Sequence, residues 1–173
     1  MDLIWDLQLQ EYGEDFLKNI NEFSTVRCMM EYDEVFMSLI RDERIFKFIS
    51  HIIGDTSILH LQNGIILFPS MDHNQAKYHK DFPKSFVTEE PLSINSLIVI
   101  DPFTRETGST FYVEGSHRRK FEDFESPYRQ PTKRIKELYG EDKIKYFTTK
   151  KGDLLMADTN GFHRGTPPIE GGK

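Results

Sequence analysis

Apolar residues in the first third of the chain recur at helical spacing. Leu3 and Leu7, then Phe16, Leu17 and Ile20, fit a helix interrupted near Gly13. Val35, Phe36, Leu39 and Ile40 follow the three-and-four spacing of an amphipathic helix. Ile45, Phe46, Phe48, Ile49, Ile52 and Ile53 repeat it, and Gly54 is placed to end that helix. At Thr56 the period changes. The runs from Ser57 to Gln62 and from Ile65 to Phe68 flank Asn63-Gly64, a strong short hairpin signal. Further strands are predicted from Leu92 to Ile100, closed by Asp101-Pro102, from Ser109 to Val113, from Ile144 to Phe147 and from Asp153 to Ala157. Between them, Arg118 to Asp142 is polar and reads as a surface excursion with a short helix around Ile135 to Tyr139.

Helices followed by many short strands predict a mainly β protein with N-terminal helices. The best fit is a double-stranded β-helix, a cupin-like jelly roll. Residues 1–173 form a single domain on this reading, with 1–55 a helical layer and 56–173 the β core. That core is expected to be C-terminally truncated, missing its last strand.

Composition narrows the choice. The chain of 173 residues suits one core, and its 14 Phe and 7 Tyr favour sheet. A net charge of −6 with scattered Lys and Arg gives no support for nucleic-acid binding. Cys28 is the single cysteine, which excludes an intramolecular disulfide and a cysteine-rich zinc site. There is no basic segment followed by an apolar one at the N-terminus, and no apolar run of the ~20 residues needed to span a bilayer. A soluble protein in the reducing cytoplasm, not associated with a membrane, is the expectation.

Three segments carry candidate chemistry. In His79-Lys80-Asp81 the His and the carboxylate are two residues apart, so in an extended segment they project from one face and can share a metal ion. Taken alone, the tripeptide is better read as a loop histidine beside a solvated Asp. Gly152-Asp153 opens an apolar strand, and a second turn follows that returns His163 to the sheet in a hairpin arm. Gly108 and Gly115 bracket a short strand that runs into Ser116-His117, with local chemistry that points to a tight turn.

In this order the segments resemble the phytanoyl-coenzyme A dioxygenase family: His-x-Asp at 79–81, the Gly…Gly-Ser-His block at 108–117, Gly-Asp at 152–153, and His163 followed by Gly165 and Pro167-Pro168. The preceding hairpin and Gln75 add to the likeness, which runs from Ser57 to the C-terminus. The resemblance implies a double-stranded β-helix, Fe(II) held by His79, Asp81 and His163, 2-oxoglutarate as co-substrate, and O2. Two imidazoles and a carboxylate leave three positions open on iron, enough for a chelating 2-oxo acid and O2. The implied products are succinate, CO2 and an oxidised small organic molecule. Retention of the carboxylate at Asp81 favours oxidation over halogenation.

The resemblance places co-substrate contacts near Leu97. Strand facing adds Asn95, for which pocket lining and solvent exposure are both open. Thr110 and Thr166 are further candidates. Two positions depart from the family's habit, Lys80 where Gln is common and Glu114 where Pro is common. Family members usually hold the distal carboxylate of 2-oxoglutarate with an Arg nine to eleven residues beyond the distal His; here that place begins at Gly172 and includes Lys173, a possible surrogate. Arg164 is the nearest substitute, although alternation turns it to the other side of the strand from His163. The loops at 82–91 and 118–142 are expected to select the substrate. Two other functions compete: a catalytically silent jelly-roll metal-binding domain, and a cupin-type metal enzyme that does not use 2-oxoglutarate.

Overall fold

The structure is a computed structural model that describes residues 1–69, 76–81, 90–118 and 129–169. Gln75, Lys173, and residues 82–89 and 119–128 of the two expected substrate loops lie outside the described residues. The chain divides after Phe68 into two compact units.

The first unit is mostly helical: α1 (Asp2–Tyr12), α2 (Glu14–Asn19), α3 (Met29–Tyr32), α4 (Glu34–Ile40) and α5 (Glu43–Ile53). Gly13 separates α1 from α2 with φ at +79°, a conformation that a Cβ would disfavour. Side chains of Asp33 and Asp42 accept hydrogen bonds from Val35 N and Arg44 N and so start α4 and α5. The core is Ile4, Trp5, Leu17, Val26 and Met29, with Trp5 edge-on to Phe23 at 5.1 Å and tilted against Phe68 at 6.0 Å. The buried face of α1 is therefore Ile4, Trp5 and Gln8, while Leu3 and Leu7 are exposed. Gln8 is buried because its amide pairs with the backbone of Arg27 in both directions.

The predicted Asn63-Gly64 hairpin does not form. Residues 58–63 are not in a strand, and β2 (Gly64–Ile65) pairs antiparallel with β1 (Thr25–Val26), in a region expected to be helical. Two contacts explain the change. Asn63 is held by Arg27, whose Nη1 donates to its side-chain oxygen at 2.6 Å. At Gly64 a Cβ would crowd the sulfur atoms of Met1 and Met29 at 3.0 and 3.1 Å. This Asn-Gly pair permits a close approach instead of a turn.

The second unit holds two antiparallel sheets. Five strands run in the order β6 (Arg129–Gln130), β3 (Tyr78–His79), β9 (His163–Gly165), β5 (Thr110–Val113), β7 (Ile144–Tyr146). β4 (Ile94–Ile98) pairs with β8 (Leu154–Asp158) as a second sheet. α6 (Thr132–Tyr139) contributes Ile135 to a core shared with Tyr78, Val113 and Phe162. The predicted strands at 92–100, 109–113, 144–147 and 153–157 are all present, and so is the short helix. The predicted hairpin arm is corrected: β8 and β9 lie in different sheets, and residues 159–162 carry the chain from one to the other. The whole is mixed helix and antiparallel sheet. Among the described residues no helix is long and apolar enough to cross a membrane.

Candidate metal centre

Register in the five-stranded sheet creates the site. His79 on β3 lies directly opposite His163 on β9, and His163 lies opposite Tyr112 on β5. Residues directly opposite in antiparallel strands project to the same face, with Cβ atoms about 4.5–5.5 Å apart. The two imidazoles therefore rise side by side, their ring centroids 4.5 Å apart. Asp81, two residues past His79, joins them, tethered by a hydrogen bond from its backbone N to Thr159 O. One ligand atom from each of His79, Asp81 and His163 falls within 4.8 Å of the others.

Both rings are aimed in the same way. His79 Nδ1 is 2.8 Å from Lys77 O, and His163 Nδ1 is 3.0 Å from Gly161 O. A carbonyl at Nδ1 demands a proton there, which leaves the Nε2 lone pair free for a metal ion. The Nε2 atoms lie 3.8 Å (His79) and 3.5 Å (His163) from Asp81 Oδ1. His79 Nε2 is buried without a hydrogen-bond partner, an unfavourable state for a polar atom unless something is to bind it. The other carboxylate oxygen is fixed by Asn95, whose Nδ2 donates to Asp81 Oδ2 at 2.7 Å. The side chain of His79 is only 4% exposed and that of Asp81 35%, so the cluster opens on the Asp81 side.

Charge follows from this packing. Burial, and then the neighbouring His163, lower the His79 pKa to about 4, so His79 is neutral at ordinary pH. Burial works against a charge on His163 too, but Asp81 outweighs it and raises the pKa of that imidazole. For Asp81, burial opposes ionisation, yet hydrogen bonding and charge from His163 dominate and hold the carboxyl below its usual value. Two imidazole nitrogens and one carboxylate oxygen, with an orphaned buried Nε2 among them, fit a first-row divalent ion and suit iron(II).

The loop from Asp158 to Phe162 must deliver His163 at this register, and several bonds fix it. Ser116 Oγ accepts from Phe162 N at 2.7 Å, Asn160 Nδ2 donates to His117 O at 2.8 Å, and Lys80 Nζ donates to Ser116 O at 3.1 Å. The Gly-Ser-His turn is thus a brace for the distal histidine, with Gly115 at φ +78°. Lys80 is fully buried, its ammonium 5.1 Å from the Phe162 ring centre; burial lowers its pKa to about 8. Gly152 at φ +88° makes the turn before β8, closed by Asp153, whose carboxylate accepts from Lys150 N.

Sequence reasoning missed Tyr112 and Gly161. The Tyr112 ring lies nearly parallel to His163 and its hydroxyl donates to Asp158 O at 3.0 Å. A Cβ on Gly161 would overlap that hydroxyl. The one signal available beforehand was that Tyr112 stands between the glycines of the 108–115 block.

The remaining candidates divide. Asn95 reaches the site through Asp81. Leu97 is two residues along β4 from Asn95, and Thr110 two residues along β5 from Tyr112, so each shares its strand's face with a residue at the site. Arg164 does not: it lies on the opposite face of β9, its guanidinium 4.9 Å from the Tyr78 ring centre and 5.1 Å from that of Phe111. Thr166 follows β9, and its hydroxyl accepts from Ser109 N and donates to Ser109 O, joining the chain just past β9 to the chain just before β5.

A β-sheet site that presents two histidines and a carboxylate is the donor set of a non-haem iron centre. The profile of the family described as Phytanoyl-CoA dioxygenase (PhyH) matches residues 7–168, nearly the whole chain and well upstream of Ser57. The chain belongs to this family, one of dioxygenases that generally use Fe(II) and 2-oxoglutarate. An uncharacterised protein of Mycobacterium bovis and another of Mycobacterium tuberculosis are each 38% identical to it over 116 residues. The match takes in 64% of this chain and 42% of each relative, so the chain spans less than half the length of the curated relatives it matches.

Proposed function

We propose that this chain is an Fe(II)- and 2-oxoglutarate-dependent dioxygenase that hydroxylates or otherwise oxidises a small organic substrate. O2 is consumed, and succinate and CO2 are formed. The observation that carries this reading is the convergence of His79 Nε2, His163 Nε2 and Asp81 Oδ1 around one point, with His79 Nε2 buried and unpartnered. On this reading the two sheets are the halves of a double-stranded β-helix, and β3 and β9 supply the ligands.

His79, Asp81 and His163 would hold the iron and leave coordination positions open for co-substrate and O2. Bound there, iron would supply the redox chemistry that couples decarboxylation of a 2-oxo acid to substrate oxidation. The protein's share is orientation. Lys77 O and Gly161 O fix the tautomers, Asn95 turns Asp81 Oδ1 toward the imidazoles, and Tyr112 backs His163. Leu97 and Thr110 are assigned to the wall beside the co-substrate. The cupin-type alternative is less well supported, since the one candidate metal cluster among the described residues contains two histidines.

The test is succinate release, followed by mass spectrometry, from protein supplied with Fe(II), 2-oxoglutarate and air. Expected is iron-dependent succinate that Asp81→Ala abolishes while the far-ultraviolet dichroism of the protein is unchanged. Metal binding with no succinate under any condition would leave the silent binding domain as the better reading.

A further inference from the structure

Alternation along β9 gives its two faces different neighbours. His163 stands on the metal face and Arg164 on the reverse. On that reverse face Arg164 lies directly opposite Phe111 on β5, and Phe111 lies opposite Tyr146 on β7. On the other side, the antiparallel register of β3 with β9 sets Tyr78 beside Arg164. The guanidinium is therefore flanked by a ring from each neighbouring strand, Tyr78 at 4.9 Å and Phe111 at 5.1 Å.

The rings supply no acceptor. Arg164 is half-buried, its Nε is buried without a hydrogen-bond partner, and no carboxylate among the described residues pairs with its guanidinium. Tyr78 is 1% exposed, and its hydroxyl is likewise buried and unpartnered. Burial raises the pKa of that phenol against the charge of Arg164 beside it, so the hydroxyl keeps its proton and is a donor. Lys136 on α6 adds positive potential at the same hydroxyl, while its own ammonium is answered by Glu141.

Two neighbouring donors thus lack an acceptor. Buried polar groups in that state are unfavourable, and a partly buried cation more so. A water molecule satisfies the hydrogen bonds and leaves the charge; an anion satisfies both. With its flanks taken by rings, the guanidinium offers its edge, which is the edge that holds a carboxylate or phosphate through two parallel N–H bonds.

We propose that Arg164 and Tyr78 form an oxyanion site on the reverse face of the five-stranded sheet, which takes a small phosphate or carboxylate group. It is separate from the metal centre, and it does not depend on the iron reading.

Metal-free protein is titrated by calorimetry with inorganic phosphate and, separately, with acetate, at constant ionic strength. The wild type, Arg164→Gln, Arg164→Lys and Tyr78→Phe are compared. Saturable binding at one site is expected in the wild type; tighter phosphate marks a phosphoryl ligand, tighter acetate a carboxylate. Arg164→Gln is expected to weaken the better probe by roughly ten- to a hundred-fold, Arg164→Lys by less, and Tyr78→Phe by about tenfold. In protein labelled with 15N-arginine, the Nε–H signal that disappears in Arg164→Lys is expected to shift with the same midpoint as the heat. No saturable binding of either probe to the wild type overturns the proposal. Equal affinity in all four proteins, or shifts at other arginines with the Arg164 signal unmoved, means an adventitious ion only and overturns it as well. Unchanged affinity in Tyr78→Phe overturns the two-donor site. If Arg164→Gln does not fold, the comparison rests on Tyr78→Phe, which loses one buried oxygen and keeps the ring.

Discussion

At the scale of single residues, the three candidate ligands are held by groups outside the donor set. Asn95 is the clearest case, because its hydrogen bond decides which oxygen of Asp81 faces the histidines. Partners of this kind are worth about 10–100-fold in metal affinity or activity. Asn95→Ala is expected to weaken Mn(II) binding by roughly that factor, read by paramagnetic relaxation of water, with little change in thermal stability. Protonation gives a second prediction. His79, lowered to about 4, has no proton at Nε2 to lose near neutral pH, and Asp81 is ionised; His163 alone holds its proton above the ordinary 6.5. Metal binding near pH 6.5 is therefore expected to release at most one proton, from His163, and affinity is expected to fall as pH drops. Calorimetry in buffers of different ionisation enthalpy counts that proton. In the metal-free protein the two histidines act in opposite directions. The His163–Asp81 pair stabilises fully below the unfolded value of about 6.5, and its contribution is lost as pH rises through the folded value. His79 has a folded pKa below its unfolded one, so it lowers stability as pH falls from 6.5 toward 4.

At the scale of elements, the Gly-Ser-His turn and the sheet-crossing loop form one unit. Ser116→Ala removes the acceptor for Phe162 N, which lies beside a fully buried ring, and an unpaired buried N–H costs about 1–3 kcal/mol. We expect a loss of that size in urea unfolding, with weaker metal binding because His163 follows immediately. This arrangement also shows what could be read from the chain. The strands at 94–98, 110–113, 144–146 and 154–158 were visible because alternation and turn residues are local. His79-x-Asp81 was visible because period two puts both on one face, and family order singled out His163. The crossing of residues 159–162 between sheets was not visible, because strand partners are chosen by long-range packing. Asn63-Gly64 misled for the same reason: a dipeptide suited to a turn was recruited by Arg27, Met1 and Met29 for a close approach. Alternation turned Arg164 away from His163, but the rings that flank it were not visible, because they come from β3 and β5.

At the scale of the whole molecule, His79, Asp81 and His163 all belong to the second unit, while α1 to α5 belong to the first. Metal bound only by the folded state adds RT ln(1 + [M]/Kd), about 2.7 kcal/mol at a free concentration of 100 Kd. Hydrogen exchange with and without Mn(II) is expected to concentrate the added protection in β3, β5 and β9. Equal gains throughout α1–α5 would mean that the site and the helical unit open together as one cooperative body.

Trp5 is the chain's single tryptophan, packed between Phe23 and Phe68 in the helical core. The tyrosines at 78, 112, 139 and 146 belong to the other unit. Indole emission thus samples one half of the protein, and tyrosine near-ultraviolet dichroism mainly the other. Agreement of the two melting curves would mark one cooperative transition. A fluorescence-based thermal screen for compounds at the candidate metal centre therefore reads a residue of the other unit. A compound that stabilises the second unit alone raises the tyrosine midpoint, leaves the emission curve where it was, and passes unseen through a screen read at Trp5.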